Sequence, residues 1–458
     1  MLSKIIGHAE ALALHLEPRR AMRLLNAMPP SVIETLQRVR FRQTLQLAVT
    51  RSPFYREQFR RRGINPRRID HPSQLGDFYT TGEDLRAHVE DFRIGRADTV
   101  FETTGTTSPV PKRVFFSRNE IDEMGRASAL GLYFLGLRRE DTVLSAFDCS
   151  FWVSPATVRS AFQYIGCFHT EAGKIDPWEF YKRATFYKPN VIFGEPSWIV
   201  RLSSIAADKG VWPLKFLFAG GENITESARA IVEQTWQAPL YLSYGQTEGF
   251  GSMGVECAKK NGYHRNDLNF VFEIADCDDT GSGELVYTTL TRNVMPLIRY
   301  RSTDLTQLID ESCECGLFAR RIAKIRARTD EMVVCGMGNV GPWVFEEVLR
   351  DVNGSGAEWQ AVVKHNGRRD VIELRVESEN NGHEAEMERA IMGNLQDRFS
   401  DFWKNYEMKL YEFRVVQYPL GSLRNGRKLK RVVDERQMGG VVSKPVEASQ
   451  QRANGTDT

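Results

Sequence analysis

Short apolar runs alternate with helical stretches from about residue 100 onward, and this alternation constrains the fold more than any other feature of the chain. The runs DTVLSAF, PNVIFG, LKFLFAGG and PLYLSYG are separated by segments of helical pattern such as ITESARAIVEQTW. Such alternation is typical of an α/β domain with a mostly parallel sheet. Glycines fall at the ends of several predicted strands, where sheets of this kind bind their ligands.

The flanking segments predict further elements. Upstream, SVIETLQRVRFRQTLQLAVTRSPFYREQF has apolar residues at helical spacing and predicts one or two helices that bury Phe54 and Tyr55. Downstream, TGSGELVYTTLTRNVMPLIRYRSTDLTQL predicts strands of a different, partly antiparallel layer. We therefore expect a large, multi-layer α/β domain over residues 1–327.

A second unit is predicted after RIAKIRARTDEMVV, because 458 residues exceed the length that one core usually supports. PWVFEEVLRDV and EAEMERAIMGNLQDRFSDFW are helical in pattern, and EWQAVVKHNGRRDVIELRVES contains two alternating strands around a turn. We expect a small α+β domain over residues 328–436. Residues 437–458 are polar and poor in apolar side chains, which predicts a disordered tail.

Charge and hydropathy exclude several classes of protein. The chain has 61 Lys and Arg against 59 Asp and Glu, and its short basic runs are separated by neutral sequence, so we expect no nucleic-acid partner. No apolar stretch reaches the roughly 18 residues of a membrane helix, and the N-terminus has no cleavage site of the secretory type. The sequence predicts a cytoplasmic protein without a membrane partner.

Four stretches carry residues suited to nucleotide chemistry. FETTGTTSPVPKRVFFS, which contains the threonine loop of residues 103–112, is typical of a phosphate cradle but lacks the GK[ST] ending of a P-loop. YLSYGQTEGFG offers an aromatic ring at Tyr244 to stack a base, a hydroxyl at Thr247 for a phosphate and a carboxylate at Glu248 for Mg²⁺. IRYRSTDL places Asp304 where a carboxylate can accept two ribose hydroxyls, and LGSLRNGRKLKRVVDER places Lys428 on a glycine-containing loop. Taken singly, each stretch is also typical of ordinary turn residues.

In this order, the stretches resemble the phenylacetate coenzyme A ligase family of the adenylate-forming (AMP-binding) superfamily. The resemblance covers nearly the whole chain, from RSPFYREQFRRRGINP and TTGEDLR through AGGENIT, SYGQTEGFG, GELVYTTLTRNVMPLIRYRSTDL and RIAKIRARTDEMVV to FEEVL and KLKRVVD. It implies a large adenylate-forming N-terminal domain with a small, mobile C-terminal domain. The implied reaction is ATP-dependent adenylation of an aromatic or cyclic carboxylic acid to acyl-AMP and pyrophosphate, followed by transfer to coenzyme A.

The resemblance also implies roles for individual residues. Lys428 would bridge the substrate carboxylate and the α-phosphate, Thr247 would contact that phosphate, and Glu248 would bind Mg²⁺. Tyr244 would stack on adenine, Asp304 and Arg328 would hold the ribose, and the threonine loop would hold the β- and γ-phosphates. Asp330 matches the hinge between the domains. The residues expected to bind ATP are Thr103, Thr104, Gly105, Thr106, Thr107, Gly221, Glu222, Tyr244, Gly245, Asp304 and Arg328.

The acid is expected where SAFDCSFWVSPAT, FGEPSW and AGGEN converge, which by resemblance is the region that receives an aromatic ring. The candidates to line this pocket are Phe147, Trp152, Trp198 and Gly220. The alternative for the tryptophans is packing between subdomains. Because Cys149 to Pro155 departs from the glycine-rich segment of phenylacetate ligases, we expect an acid other than phenylacetate.

A separate set of residues is suited to a metal. Cys257 and His264 lie seven residues apart, and Cys313 and Cys315 form a CxC pair. Three thiolates and one imidazole with no open position suit a structural zinc ion, and family members look similar at these places. From the residues alone, buried or incidental cysteines are the favoured alternative. The other four of the seven cysteines are expected in the core.

Besides the segment Cys149 to Pro155, the chain departs from the family at three places. Ser108 replaces a glycine in the threonine loop, and Arg427 replaces the glycine before Lys428. Met337 falls at a glycine beside the path of the incoming thiol, although Gly336 and Gly338 flank it. The alternative to thioester formation is therefore an adenylate passed to an amine or to a partner reductase, as in antibiotic-type secondary metabolism.

A third alternative is a noncatalytic protein that only binds an acid or nucleotide. The joint presence of Glu248, Asp304, Arg328 and Lys428 argues against it. A homodimer is expected by analogy with relatives.

Overall fold

The structure is a computed structural model that describes residues 17–436 except 104–110, 223, 225, 330–331, 336–337, 351, 353–357, 367–368, 379–383 and 425–428. The chain divides into two compact units, which contain the described residues 17–329 and 332–436 respectively. Among the described residues, no helix combines the length and apolar character needed to cross a bilayer. The expected cytoplasmic location stays a prediction.

The first unit contains ten α-helices among its described residues. Their bounds are α1 Pro18–Asn26, α2 Pro30–Arg51, α3 Pro53–Arg61, α4 Gly82–Ala87, α5 Val89–Phe92, α6 Arg118–Phe134, α7 Ser154–Ile165, α8 Pro177–Tyr187, α9 Pro196–Lys209 and α10 Glu226–Trp236. Proline at the first helical position begins several of them, because its fixed φ suits a helix start and no backbone N–H is lost there. Helices α2 and α3 confirm the upstream prediction, since Phe54 and Tyr55 are both buried.

A nine-stranded sheet forms the centre of this unit. Its strands are β3 Thr142–Ser145, β4 Phe168–Glu171, β5 Val191–Gly194, β6 Phe216–Gly220, β7 Leu240–Gln246, β8 Gly251–Val255, β9 Tyr263–Arg265, β13 Leu308–Ile309 and β14 Arg321–Ile322. The order is β13-β14-β9-β8-β7-β6-β5-β3-β4. The five strands β3 to β7 are parallel, and β8, β9, β14 and β13 extend the sheet in antiparallel fashion. The parallel strands contain the four apolar runs, which confirms the predicted α/β class.

A second layer and a hairpin complete the first unit. The layer is an antiparallel sheet of β10 Phe270–Ala275, β11 Gly283–Thr289, β12 Tyr300–Thr306 and β15 Ala327–Arg328. The hairpin consists of β1 Thr99–Glu102 and β2 Arg113–Phe116. The threonine loop connects its two strands. The elements that carry the nucleotide motifs are therefore the end of β7, the strand β12 and this hairpin.

The second unit has its own hydrophobic core. Its elements are β16 Val333–Cys335, β17 Gly338–Val340, α11 Pro342–Leu349, β18 Trp359–His365, β19 Asp370–Glu377, α12 Glu384–Arg398, α13 Ser400–Glu407, β20 Tyr411–Tyr418 and β21 Val432–Asp434. The sheet order is β20-β19-β18-β21, with β18 and β19 antiparallel. Phe345, Trp359, Leu395 and Phe413 pack in the core, as expected for an α+β unit.

Candidate active site

Asp304 lies at the centre of a hydrogen-bonded cluster between β7 and β12. The Tyr244 hydroxyl donates to Asp304 Oδ2 at 2.7 Å, and Gln246 Nε2 donates to the same oxygen at 2.8 Å and to the Ser302 carbonyl at 2.9 Å. Burial and the charge of Asp304 hold the pKa of Tyr244 well above its ordinary value, so the phenol stays neutral and remains a donor. The Tyr244 ring is itself buried beside Tyr263. Its role in stacking adenine stays a prediction.

Arg328 joins this cluster from the neighbouring strand. In the antiparallel register, Arg328 on β15 pairs with Asp304 on β12. Arg328 Nε lies 3.8 Å from Asp304 Oδ1, and its Nη2 donates to Thr303 Oγ1 at 2.7 Å. The structure thus brings together Tyr244, Asp304 and Arg328, three residues that the sequence predicted to bind one nucleotide.

Glu248 forms a second buried cluster. Its Oε1 accepts a hydrogen bond from the Tyr300 hydroxyl at 2.9 Å and forms an ion pair with Lys112, whose Nζ also donates to the Tyr300 hydroxyl at 3.1 Å. Burial on its own raises the pKa of this carboxyl, but the charge and hydrogen bond of Lys112, with the bond from Tyr300, lower the pKa below its ordinary value. Glu248 is therefore a buried carboxylate that stays ionised.

Tyr287 links the two clusters. Its hydroxyl donates to Gln246 Oε1 at 3.1 Å, and its ring centroid lies 5.4 Å from that of Tyr300. Gln246 was missing from the sequence predictions. A signal existed, because Gln246 follows Tyr244 by two residues on a strand, a spacing that places two side chains on one face.

Arg292 is a second residue that sequence reasoning missed. Its guanidinium is buried, donates to the Glu248 carbonyl at 3.2 Å and to the Phe115 carbonyl at 2.7 Å, and lies 3.4 Å from Glu120 Oε1. Arg292 thereby connects the β1–β2 hairpin to the segment that carries Glu248. These bonds join residues up to 177 positions apart, so no local pattern predicts them.

The described ends of the threonine loop are held together. The Thr103 N–H donates to the Lys112 carbonyl at 3.0 Å, and the Lys112 N–H donates to Thr103 Oγ1 at 3.3 Å. The predicted ligands Thr104, Gly105, Thr106, Thr107 and Lys428 lie outside the described residues, as do Ser108, Asp330 and Met337.

Glycine is required at one predicted position near Glu248. A Cβ atom on Gly245 would lie 1.6 Å from the Gly251 carbonyl oxygen. The backbones of β7 and β8 are therefore in close contact there and leave no room for a side chain. Thr247, two residues further along, is buried.

Aromatic side chains surround the end of β6. The rings of Phe147 and Trp152 meet edge to face at 5.4 Å, and a Cβ on Gly221 would lie 2.8 Å from Trp152 Cζ2. A Cβ on Gly220 would lie 2.5 Å from Ser243 Oγ, and Glu222 accepts the Ser197 N–H at 3.2 Å. Phe147 and Trp152 therefore pack together, with Trp152 against the backbone of Gly221.

Trp198 has the contacts of a core residue. Its indole N–H donates to the Ile175 carbonyl at 2.8 Å, and its ring meets Phe180 edge to face at 4.8 Å. Its predicted contact with substrate stays a prediction.

The four predicted metal ligands converge. One ligand atom from each of Cys257, His264, Cys313 and Cys315 lies within 4.8 Å of all the others. Cys257 Sγ lies 3.7 Å from Cys313 Sγ, and Cys315 Sγ lies 3.2 Å from His264 Nε2. His264 Nδ1 lies 2.7 Å from the Ala319 carbonyl, which fixes a proton on Nδ1 and directs the Nε2 lone pair to the sulfurs.

Comparisons with known proteins agree with this architecture. The AMP-binding enzyme C-terminal domain matches residues 338–436. The phenylacetate-coenzyme A ligase of Thermus thermophilus is 28% identical over 371 residues, which cover 77% of this chain and 83% of that protein. The ligase of the same name from Aromatoleum evansii is 27% identical over 426 residues, 88% of this chain and 94% of that protein.

Solved structures show the same fold. A crystal structure of 2-hydroxyisobutyryl-CoA ligase in the postadenylation state has a TM-score of 0.72 at 21% identity, and the match covers 90% of this chain and 91% of that chain. The predicted fold is therefore confirmed. The chain therefore carries the C-terminal domain of AMP-binding enzymes and is similar over most of its length to curated phenylacetate-coenzyme A ligases.

Proposed function

We propose that this chain activates a carboxylic acid with ATP, forms an acyl-adenylate and pyrophosphate, and transfers the acyl group to coenzyme A. One observation carries the proposal: two buried carboxylates, Asp304 and Glu248, are held by neutral hydroxyl donors and connected through Tyr287 and Gln246. A nucleotide that is activated for attack at phosphorus needs both an acceptor for its ribose and a ligand for its metal ion.

Each carboxylate suits a different part of ATP. Asp304, beside Arg328, supplies acceptor oxygens for the two ribose hydroxyls. Glu248 is an ionised oxygen donor, the kind of ligand that Mg²⁺ prefers, so its chemistry fits that metal. Bound Mg²⁺ would neutralise phosphate charge as the substrate carboxylate approaches. The acid oxygen then bonds to the α-phosphorus, and the bond from that phosphorus to pyrophosphate breaks.

The proposed acid is aromatic or cyclic. The edge-to-face pair of Phe147 and Trp152, packed against Gly221, places aromatic side chains at the end of β6, where an α/β sheet binds its ligand. The segment Cys149 to Pro155, which contains Trp152, differs from phenylacetate ligases, so the acid is one other than phenylacetate.

The experiment is pyrophosphate release from Mg·ATP over a panel of aryl and cyclic acids, with and without coenzyme A. One acid should give multiple turnovers that depend on coenzyme A, and Lys428→Ala should abolish release while ATP binding persists. Release that stops near one equivalent per enzyme, with or without coenzyme A, would favour an amine or a partner enzyme as acceptor. No acid-dependent release from any acid would contradict adenylation itself.

We also propose a structural zinc ion held by Cys257, His264, Cys313 and Cys315. Backbone N–H groups of Lys259 and Leu317 point at the sulfurs of Cys257 and Cys315, at 3.4 and 3.5 Å, as suits thiolates. Four protein ligands leave no open position for a substrate, which is typical of a structural site.

The zinc proposal predicts about one zinc per chain by elemental analysis. Cys313→Ser combined with Cys315→Ser should remove the metal and lower the melting temperature. Cys149 and Cys277 are exposed, so the prediction that they lie in the core was wrong. The control is therefore Cys277→Ser, which changes an exposed cysteine outside the cluster and should keep the metal. A metal-free preparation of wild type with undiminished stability would overturn the proposal.

A further inference from the structure

Lys112 lies beside Glu248, the proposed metal ligand, where a bound metal ion would lie. Its ammonium forms an ion pair with Glu248 Oε1, the same oxygen that accepts from Tyr300, and the two charged side chains are only 14% and 4% exposed. A buried carboxylate is costly without a cation beside it, so Lys112 stabilises the ionised form of Glu248.

The backbone of Lys112 is anchored by hydrogen bonds to Thr103. The reciprocal hydrogen bonds with Thr103 hold its main chain at the base of the threonine loop. On the other side, a Cβ on Gly82 at the start of α4 would lie 3.5 Å from Lys112 Nζ and equally far from the Tyr300 hydroxyl, so helix backbone packs closely against the ion pair. Because the main chain is held, the ammonium has to leave Glu248 by a change in the side chain of Lys112.

A divalent cation and the Lys112 ammonium would repel each other if both lay beside Glu248 Oε1, because both carry positive charge in a site shielded from water. The cation that arrives second must displace the first, unless a new anion draws the ammonium away. The threonine loop that begins beside Lys112 is the segment proposed to bind the phosphates of ATP, and those phosphates supply such an anion.

We propose that Lys112 is a positioning residue that keeps divalent metal off Glu248 until the phosphates of ATP attract its ammonium. This inference rests on the proposed function for the identity of the nucleotide. It predicts that metal binds Glu248 weakly in the absence of nucleotide and strongly with it.

The test is Mn²⁺ binding followed by electron paramagnetic resonance in the absence of nucleotide. Lys112→Met should bind Mn²⁺ at least about tenfold more tightly than wild type, because the competing charge is gone. Lys112→Arg keeps a cation and should bind as weakly as wild type. Arg113→Met is the control on the next residue of the hairpin. It removes a half-exposed charge that lies 4.0 Å from Glu90 and should leave the Mn²⁺ affinity unchanged.

Two outcomes would overturn the inference. The first is Lys112→Met with the same Mn²⁺ affinity as wild type while its melting temperature shows that it is folded. The second is a gain in affinity that persists when Glu248→Gln is added to Lys112→Met, because the metal would then lie elsewhere. Wild-type pyrophosphate release is measured separately, so failure of the proposed function and failure of this competition are distinguishable.

Discussion

Thr303 holds a strained backbone conformation directly before Asp304. Its φ is 67°, a left-handed value that β-branched residues avoid at a cost on the order of 1 kcal/mol or more. The strain is compensated by two contacts: the Thr303 N–H donates to Glu284 Oε1 at 2.8 Å, and Thr303 Oγ1 accepts from Arg328. The register between β11 and β12 shifts at this point. Thr303 therefore fixes the direction of Asp304 and the position of Arg328 together.

Replacement of Thr303 by valine tests this role. Thr303→Val keeps the branched shape but loses the acceptor for Arg328, at a cost of about 1 kcal/mol, so the KM for ATP should rise roughly fivefold. The measurement is the ATP dependence of pyrophosphate release. The control is Thr306→Val on the same strand, which loses a hydroxyl bond to the Ala323 carbonyl and should lower stability with little change in KM. An unchanged KM in Thr303→Val would contradict a positioning role.

The residues of the candidate site differ in how far sequence could predict them. Tyr244, Glu248 and Asp304 stand in motifs whose chemistry is visible in a few consecutive residues. Lys112 and Tyr300 could not be paired in this way, because their contact joins positions 188 residues apart. Their meeting depends on how the hairpin packs against the second layer, which no local pattern encodes.

At the scale of elements, strand length decides what sequence could predict. The parallel strands β5 and β6 were predicted because they are fully buried apolar runs bounded by turn residues. The antiparallel extension through β9, β14 and β13 was not predicted, since strands of two or three residues are too short to show a period. The convergence of Cys257, His264, Cys313 and Cys315 depends on this extension, because β9 carries His264 and pairs with β14.

Strand β19 of the second unit carries a charge cluster on Glu373. Its carboxylate, 7% exposed, accepts from Lys364 at 3.0 Å and from Arg375 and Arg414 at 2.7 Å each. Burial on its own raises the pKa of Glu373, but the hydrogen bonds and charges of Arg375 and Lys364 lower it to about 2. Since an unfolded glutamate titrates near 4.3, the cluster stabilises the folded unit above about pH 4.3, and this stability is lost as pH falls towards 2.

Glu373→Gln should destabilise the second unit by about 1–2 kcal/mol at pH 7, because three cations lose their shared anion. The probe is labelling of Cys335, which is buried in the core of that unit and reacts when the unit opens. Its labelling rate should rise about tenfold, and the difference from wild type should shrink as pH falls below about 4.3. Glu412→Gln, which changes an exposed carboxylate on β20, is the control. Equal rates for wild type and Glu373→Gln at pH 7 would contradict the prediction.

At the scale of the whole molecule, the described residues of the proposed nucleotide site all belong to the first unit, and the second unit has a core of its own. The sequence predicted the two-unit organisation from a change of pattern near residue 330, and it predicted the family from motifs spread along the chain. The identity of the acid could not be predicted, because in our proposal it depends on the shape that Phe147, Trp152 and Gly221 form together rather than on any one of them.

The most direct test of acyl-adenylate chemistry follows the oxygen atoms of the acid. A substrate labelled with ¹⁸O in its carboxylate is turned over with ATP and coenzyme A, and the nucleotide product is analysed by mass spectrometry. Attack of the carboxylate on the α-phosphorus followed by thioester formation leaves one acid oxygen on AMP, so we predict AMP with one ¹⁸O and unlabelled pyrophosphate. Formation of ADP with the label in inorganic phosphate, or of AMP without label, would contradict the account.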